Sequence, residues 1–148
     1  MKKDKSFVNL NNARLDEQRR VMQDIVENQE CPFCPEYIDK YHKQKTLREG
    51  KHWRITKNQW PYKYTDIHLL AIANYHAEKL SDLKKGAFDE LQEHMVWAEK
   101  EFKINTGGIG IRFGDMSGSG ATVNHLHAHL IVPSADKPAD KKVRFKIS

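Results

Sequence analysis

The sequence predicts an α+β domain, a mainly antiparallel sheet crossed by one long helix. Three observations lead there. Over 148 residues the periodic segments run in the order helix, strand, strand, long helix, strand, strand. Phe88, Leu91, Met95, Ala98 and Phe102 recur at intervals of three and four, the stripe of an amphipathic helix from about Ala87 to Lys103. Between Ala121 and Pro133 apolar residues alternate with period two, bracketed by Gly120 and Pro133, as in a strand covered on one face. A chain of this length supports one core and is too short for two comfortable ones.

The elements follow in order. Asn12 is expected to cap a helix running to about Asn28, with Leu15, Met22, Ile25 and Val26 on its packed face. Cys31-Pro32-Phe33-Cys34 contains the chain's only two cysteines. Such a pair is a zinc knuckle, a redox dithiol or a coincidence, and the βαβ setting of a redox motif is missing. Residues 35–51 read as polar and irregular, with His42 and His52 at the surface. His52 to Lys57 forms a strand, and Asn58-Gln59-Trp60-Pro61-Tyr62 turns the chain. Ile67 to Ala73 is a strongly apolar strand, and Ile109 to Phe113 follows the long helix as another. Six of the eight glycines lie between Gly107 and Gly120. The loop Gly114 to Gly120, Ser119 included, is free to turn backbone N–H groups toward phosphate oxygens. It lacks the Gly-Lys-Ser/Thr ending and following helix of a Walker loop. Basic residues gather at Lys2-Lys3-Asp4-Lys5 and at Lys141-Lys142-Val143-Arg144-Phe145-Lys146, expected to be solvated tails. The division expected is a helical extension at 1–30, a central unit at 31–133 and a basic tail at 134–148.

Period two puts His125, His127 and His129 on one face of the last strand, with Leu126, Ala128 and Leu130 toward the core. At about 3.3 Å per residue the outer two stand roughly 13 Å apart, too far for the three to close on one tetrahedral metal, so they divide the work. A neutral imidazole that donates Nδ1–H to a carbonyl keeps Nε2 free to attack phosphorus. His127, in the middle, is the best-sited nucleophile.

His125-Leu126-His127-Ala128-His129-Leu130-Ile131 resembles the histidine-triad signature at every position. The resemblance, which covers roughly residues 31–133, implies a histidine-triad fold with a catalytic domain at 31–133. It also implies a nucleotidyl hydrolase or transferase that forms a covalent nucleotidyl-histidine on His127. In the family's terms His129 and Thr122 hold the α-phosphate. Asn58 matches a ribose-binding Asn or Asp, with a plain turn residue as the alternative. His68 matches a histidine of the nucleotide pocket, with a buried structural histidine as the alternative. In the zinc-containing branch the cysteine pair is joined by two histidines, here His76 and His125. With Cys31 and Cys34 they make a closed tetrahedral set, so the cofactor implied is structural zinc, and no catalytic metal is required. Ala121 stands where the family often carries a glutamine on the phosphate chain.

Composition agrees with a small anionic ligand. The net charge is +5 with 30% charged residues, which suits nucleotides without separating a mononucleotide from a polymer. No apolar run approaches a spanning helix, and no apolar stretch follows Met-Lys-Lys-Asp-Lys, so a soluble cytoplasmic protein is expected. The partners expected are a nucleotide, taken to be a purine one, and a second copy of the chain, with neither nucleic acid nor membrane. Two rivals remain: a zinc-stapled nucleotide-binding module without turnover, and a metal-dependent hydrolase that uses the histidines as ligands.

Overall fold

Two apolar strands fix the centre of the sheet. β3 (Thr65–Ala73) and β5 (His127–Pro133) pair antiparallel, with Leu70 opposite His129 and Ile72 opposite His127. The structure, a computed structural model, describes residues 6–148. Lys2-Lys3-Asp4-Lys5 lies outside the described residues. β1 (Thr46–Glu49), β2 (Trp53–Lys57) and β4 (Gly108–Ile111) complete a five-stranded, wholly antiparallel sheet in the order β1-β2-β3-β5-β4. With the helices α1 (Asp16–Asn28), α2 (Ile38–Tyr41), α3 (Ala87–Glu101) and α4 (Met116–Ser119), this is the α+β architecture expected.

One face of the sheet is dry because it carries Ile55, Leu69, Ala71, Leu126, Ala128 and Leu130, packed with Leu91 and Ala98 of α3. Full burial of a side chain the size of Leu69 contributes about 2 kcal/mol. Two polar ties hold α3 in place. The Trp53 indole N–H donates to the Ala87 carbonyl at 2.7 Å. The Glu90 carboxylate accepts the backbone N–H groups of Lys51, His52 and Trp53 at 2.7–2.8 Å. Burial works to raise the Glu90 carboxyl, but those donors outweigh it and leave the carboxyl below its usual value.

Several expectations are corrected. Asn12 caps nothing: α1 begins at Asp16, and the Asn12 amide donates to the Ala121 carbonyl at 2.8 Å. Gln18, Met22 and Ile25 are the buried face of α1, whereas Leu15 and Val26 are exposed. Residues 35–51 are not irregular throughout, since they contain α2 and β1. His42 and His52 are buried, His42 Nε2 lying 2.7 Å from the Thr56 hydroxyl and His52 Nδ1 lying 3.2 Å from the Tyr75 hydroxyl. On α3, Phe88 is exposed, and His94 takes a buried place beside Glu90. β5 starts only at His127, so His125 lies in the irregular segment before it.

Candidate active site and metal centre

The triad divides at the start of β5. Before the strand, Leu126 N–H bonds the Ala77 carbonyl at 2.7 Å and Ala73 N–H bonds the Leu126 carbonyl at 3.1 Å. That exchange turns His125 away from the other two histidines and toward the Cys-x-x-Cys turn. His125 Nε2–H donates to the Ala73 carbonyl at 2.7 Å, which leaves the Nδ1 lone pair facing Cys31 Sγ at 3.3 Å and Cys34 Sγ at 3.6 Å. His76 repeats the arrangement: Nε2–H donates to Glu78 Oε1 at 3.0 Å, and Nδ1 lies 3.3 Å from Cys34 Sγ. The four donor atoms all lie within 4.8 Å of one another. A tetrahedral zinc with bonds of about 2.3 Å to sulfur and 2.0 Å to nitrogen separates its ligands by about 3.6 Å, so the set fits such an ion. Burial raises both thiols, Cys34 to about 12, the reverse of what a reactive dithiol needs.

On the strand itself, His127 and His129 face a cleft of about 1120 Å³. The tautomers follow from fixed partners. His127 Nδ1–H donates to the His125 carbonyl at 2.7 Å, so the Nε2 lone pair is free. Tyr62 N–H donates to His68 Nδ1 at 3.0 Å, which puts the His68 proton on Nε2. That proton is donated to His129 Nδ1 at 2.8 Å, and His129 therefore carries its own proton on Nε2. Burial pushes His127 down to about 4 and His68 to about 3, and holds His129 well below its usual value. All three are neutral at pH 7.

Of the residues expected to meet a ligand, Asn58 and Thr122 line this cleft with His127 and His129. Asn58 also serves as a turn residue, because its Oδ1 accepts Trp60 N–H at 2.9 Å. His68 is buried behind His129. Ser119 does not line the cleft: it is buried, and its hydroxyl accepts the Ala121 N–H at 3.2 Å.

Sequence reasoning missed four side chains here. Arg14, from the N-terminal extension, lines the cleft, with its guanidinium 4.6 Å over the Tyr62 ring and bonded to the Trp60 carbonyl at 2.6 Å. Tyr62 stacks on His129, with ring centroids 5.6 Å apart. Phe33, between the two cysteines, meets His127 edge to face at 5.1 Å. Arg112, just past β4, places a guanidinium nitrogen 3.4 Å from His129 Nε2. The C-terminal segment is corrected as well. It is not wholly a solvated tail, for Phe145 packs on His129 at 5.2 Å and the Lys146 carbonyl accepts from Arg112 Nε at 2.8 Å.

Residues 30–144 match the family model described as "Scavenger mRNA decapping enzyme C-term binding". The fold matches a HIT family hydrolase from Clostridium thermocellum at 17% identity and TM-score 0.56, over 75% of this chain and 94% of that one. The chain belongs to the histidine-triad family. Two other histidine-triad folds are similar. A Zn-bound histidine triad family protein from Mycobacterium smegmatis is 20% identical at TM-score 0.55, over 79% of this chain and 84% of that one. A diadenosine triphosphate hydrolase from Plasmodium falciparum is 21% identical at TM-score 0.52, over 64% and 65%. No curated protein sequence matches the chain.

Proposed function

We propose that the protein is a nucleotidyl hydrolase or transferase that works through a covalent nucleotidyl-histidine on His127. The observation that carries this reading is the pair of fixed tautomers, a free Nε2 lone pair on His127 beside an Nε2–H on His129. The first is a neutral nucleophile at pH 7, and the second is a donor for a phosphate oxygen. His127 Nε2 forms a bond to the α-phosphorus while the bond to the leaving group breaks. That group departs with the electron pair and takes a proton from solvent. Water then adds its hydroxyl to phosphorus, releases a proton and frees the imidazole. Thr122 and the backbone of the glycine loop hold the phosphate, and Asn58 the ribose. His68 acts from behind, by setting the tautomer of His129.

Cys31, Cys34, His76 and His125 would hold one structural zinc ion, which supplies a cross-link between the cysteine turn and the catalytic strand and offers no open position. Among the described residues this is the only cluster with metal-ligand spacing. Residues 31–133 form the catalytic domain, and of the described residues 6–30 and 134–148 flank it. A second copy is proposed to cover the edge strand β4 and the neighbouring face of α3, where Ile109 is 59% exposed and Phe88 54%.

Release of the mononucleotide from adenosine phosphoramidate, diadenosine polyphosphates and a nucleotide sugar tests the reading. Turnover of at least one, lost in His127→Ala, is expected. A folded wild type that binds AMP and turns over none of them would establish the binding-module alternative instead.

A further inference from the structure

We propose that Arg112 is a catalytic residue, its guanidinium and the His129 Nε2–H together binding the non-bridging oxygens of the attacked phosphate, and that Phe145 and Lys146 hold it in position. The inference rests on the reaction proposed above and names a cation which that reaction uses.

Strand register places the side chain. Gly110 lies opposite His129 and Ile111 opposite Ala128. Ile111 and Ala128 pack in the core, so period-two alternation carries Arg112 to the face shared by His127 and His129. There Arg112 Nη1 lies 3.4 Å from His129 Nε2. Both are donors, because His129 accepts from His68 at Nδ1 and keeps its proton on Nε2. Two donors at that separation do not satisfy each other. Facing each other in this way, both are left short of an acceptor among the described residues. An anion's oxygen completes the arrangement. Ala121 leaves no side-chain amide in the loop to play this part.

The arginine is also held before any ligand arrives. Its Nε donates to the Lys146 carbonyl at 2.8 Å, and its guanidinium lies 3.9 Å from the centroid of the Phe145 ring. Phe145 fits only because residue 110 is glycine, since a Cβ there would come within 2.7 Å of the ring. The chain then crosses Gly120, where a Cβ would meet the Ser148 carbonyl oxygen at 2.9 Å. A long side chain fixed in this way loses its rotamer freedom on folding and not in the transition state, which is how preorganised charge accelerates a reaction. Charge moves onto the non-bridging oxygens as His127 attacks, and the fork of a guanidinium can reach two of them.

The test uses Arg112→Ala, Arg112→Lys and Phe145→Ala in the full chain, each checked for wild-type melting behaviour. Affinity for AMP is compared with affinity for adenosine by calorimetry, and single-turnover rates are measured with and without added guanidinium ion. Arg112→Ala is expected to slow turnover about a hundredfold, to weaken AMP at least tenfold with adenosine changed less than twofold, and to regain at least tenfold in rate with guanidinium. Arg112→Lys and Phe145→Ala are expected to fall between it and the wild type. Equal weakening of AMP and adenosine, or a folded Arg112→Ala that guanidinium does not rescue, overturns the proposal. If Arg112→Ala does not fold, the Lys and Phe145 variants carry the same comparison. A wild type inert toward every substrate overturns the underlying reaction, and the affinity comparison then decides the Arg112–phosphate contact alone.

Discussion

At the scale of single residues, each functional histidine is defined by what its second nitrogen does. A carbonyl on Nδ1 leaves His127 a free Nε2 lone pair, a carbonyl on Nε2 leaves the His125 Nδ1 lone pair facing the cysteines, and another histidine on Nδ1 leaves His129 an Nε2–H to donate. Burial keeps such imidazoles neutral, and this has a cost in acid. His42 is pushed down to about 4, whereas the unfolded imidazole takes up its proton at about 6.5. The unfolded chain therefore binds the extra proton first. Stability from this group is full above pH 6.5 and falls as pH drops toward 4, by about 1.4 kcal/mol per pH unit. Urea unfolding at pH 7, 6 and 5 is expected to show that decline, and His42→Gln to make it shallower. An unchanged slope in the variant would mean that His42 is solvated. The sequence placed His42 and His52 at the surface because neither has a chemical partner nearby in the chain. Their partners, Thr56 and Tyr75, come from β2 and from the segment after β3, and single-sequence periodicity does not report such pairings.

Among the elements, the Cys31–Cys34 turn does two jobs. It brings two thiols to His76 and His125, and it seats Phe33 edge to face against His127. A chelator strong enough to strip zinc is expected to lower the melting temperature by at least about 10 °C, since several kcal/mol of metal-coupled folding is lost. Turnover of the protein that remains folded is expected to change less than tenfold. Abolished turnover with an unchanged melting curve would show instead that the metal takes part in the chemistry. The cysteine pair and the triad were legible because each has a recognisable spacing. Arg112 and Arg14 were not: an arginine beside a glycine loop and another before a helix look like solvated charge until β4 pairs with β5 and the N-terminal segment folds across the cleft.

For the whole molecule, the helix and strand order was enough to give the α+β class, because α3 and the central strands have strong periodicity. The path of the ends was not. Val8 bridges to Val123 just ahead of the triad, and the C-terminal segment crosses β4. The first is a single backbone bridge, and the second depends on Gly110 and Gly120, which leave room for Phe145 and Ser148. The edge strand β4 leaves Ile109 exposed near Phe88 and Val96 of α3, a patch suited to a second copy. Sedimentation at micromolar concentration is expected to give a dimer for the wild type and a monomer for Ile109→Asp. A monomeric wild type would contradict the proposed pairing.

The covalent step is the centre of this account, and intact-protein mass after brief exposure to a nucleotide substrate and a neutral quench reads it most directly. The wild type is expected to gain the mass of one nucleotidyl group, and His127→Ala to gain none. The same adduct on His127→Ala, or no adduct on a wild type that turns the substrate over, would contradict nucleophilic catalysis by His127.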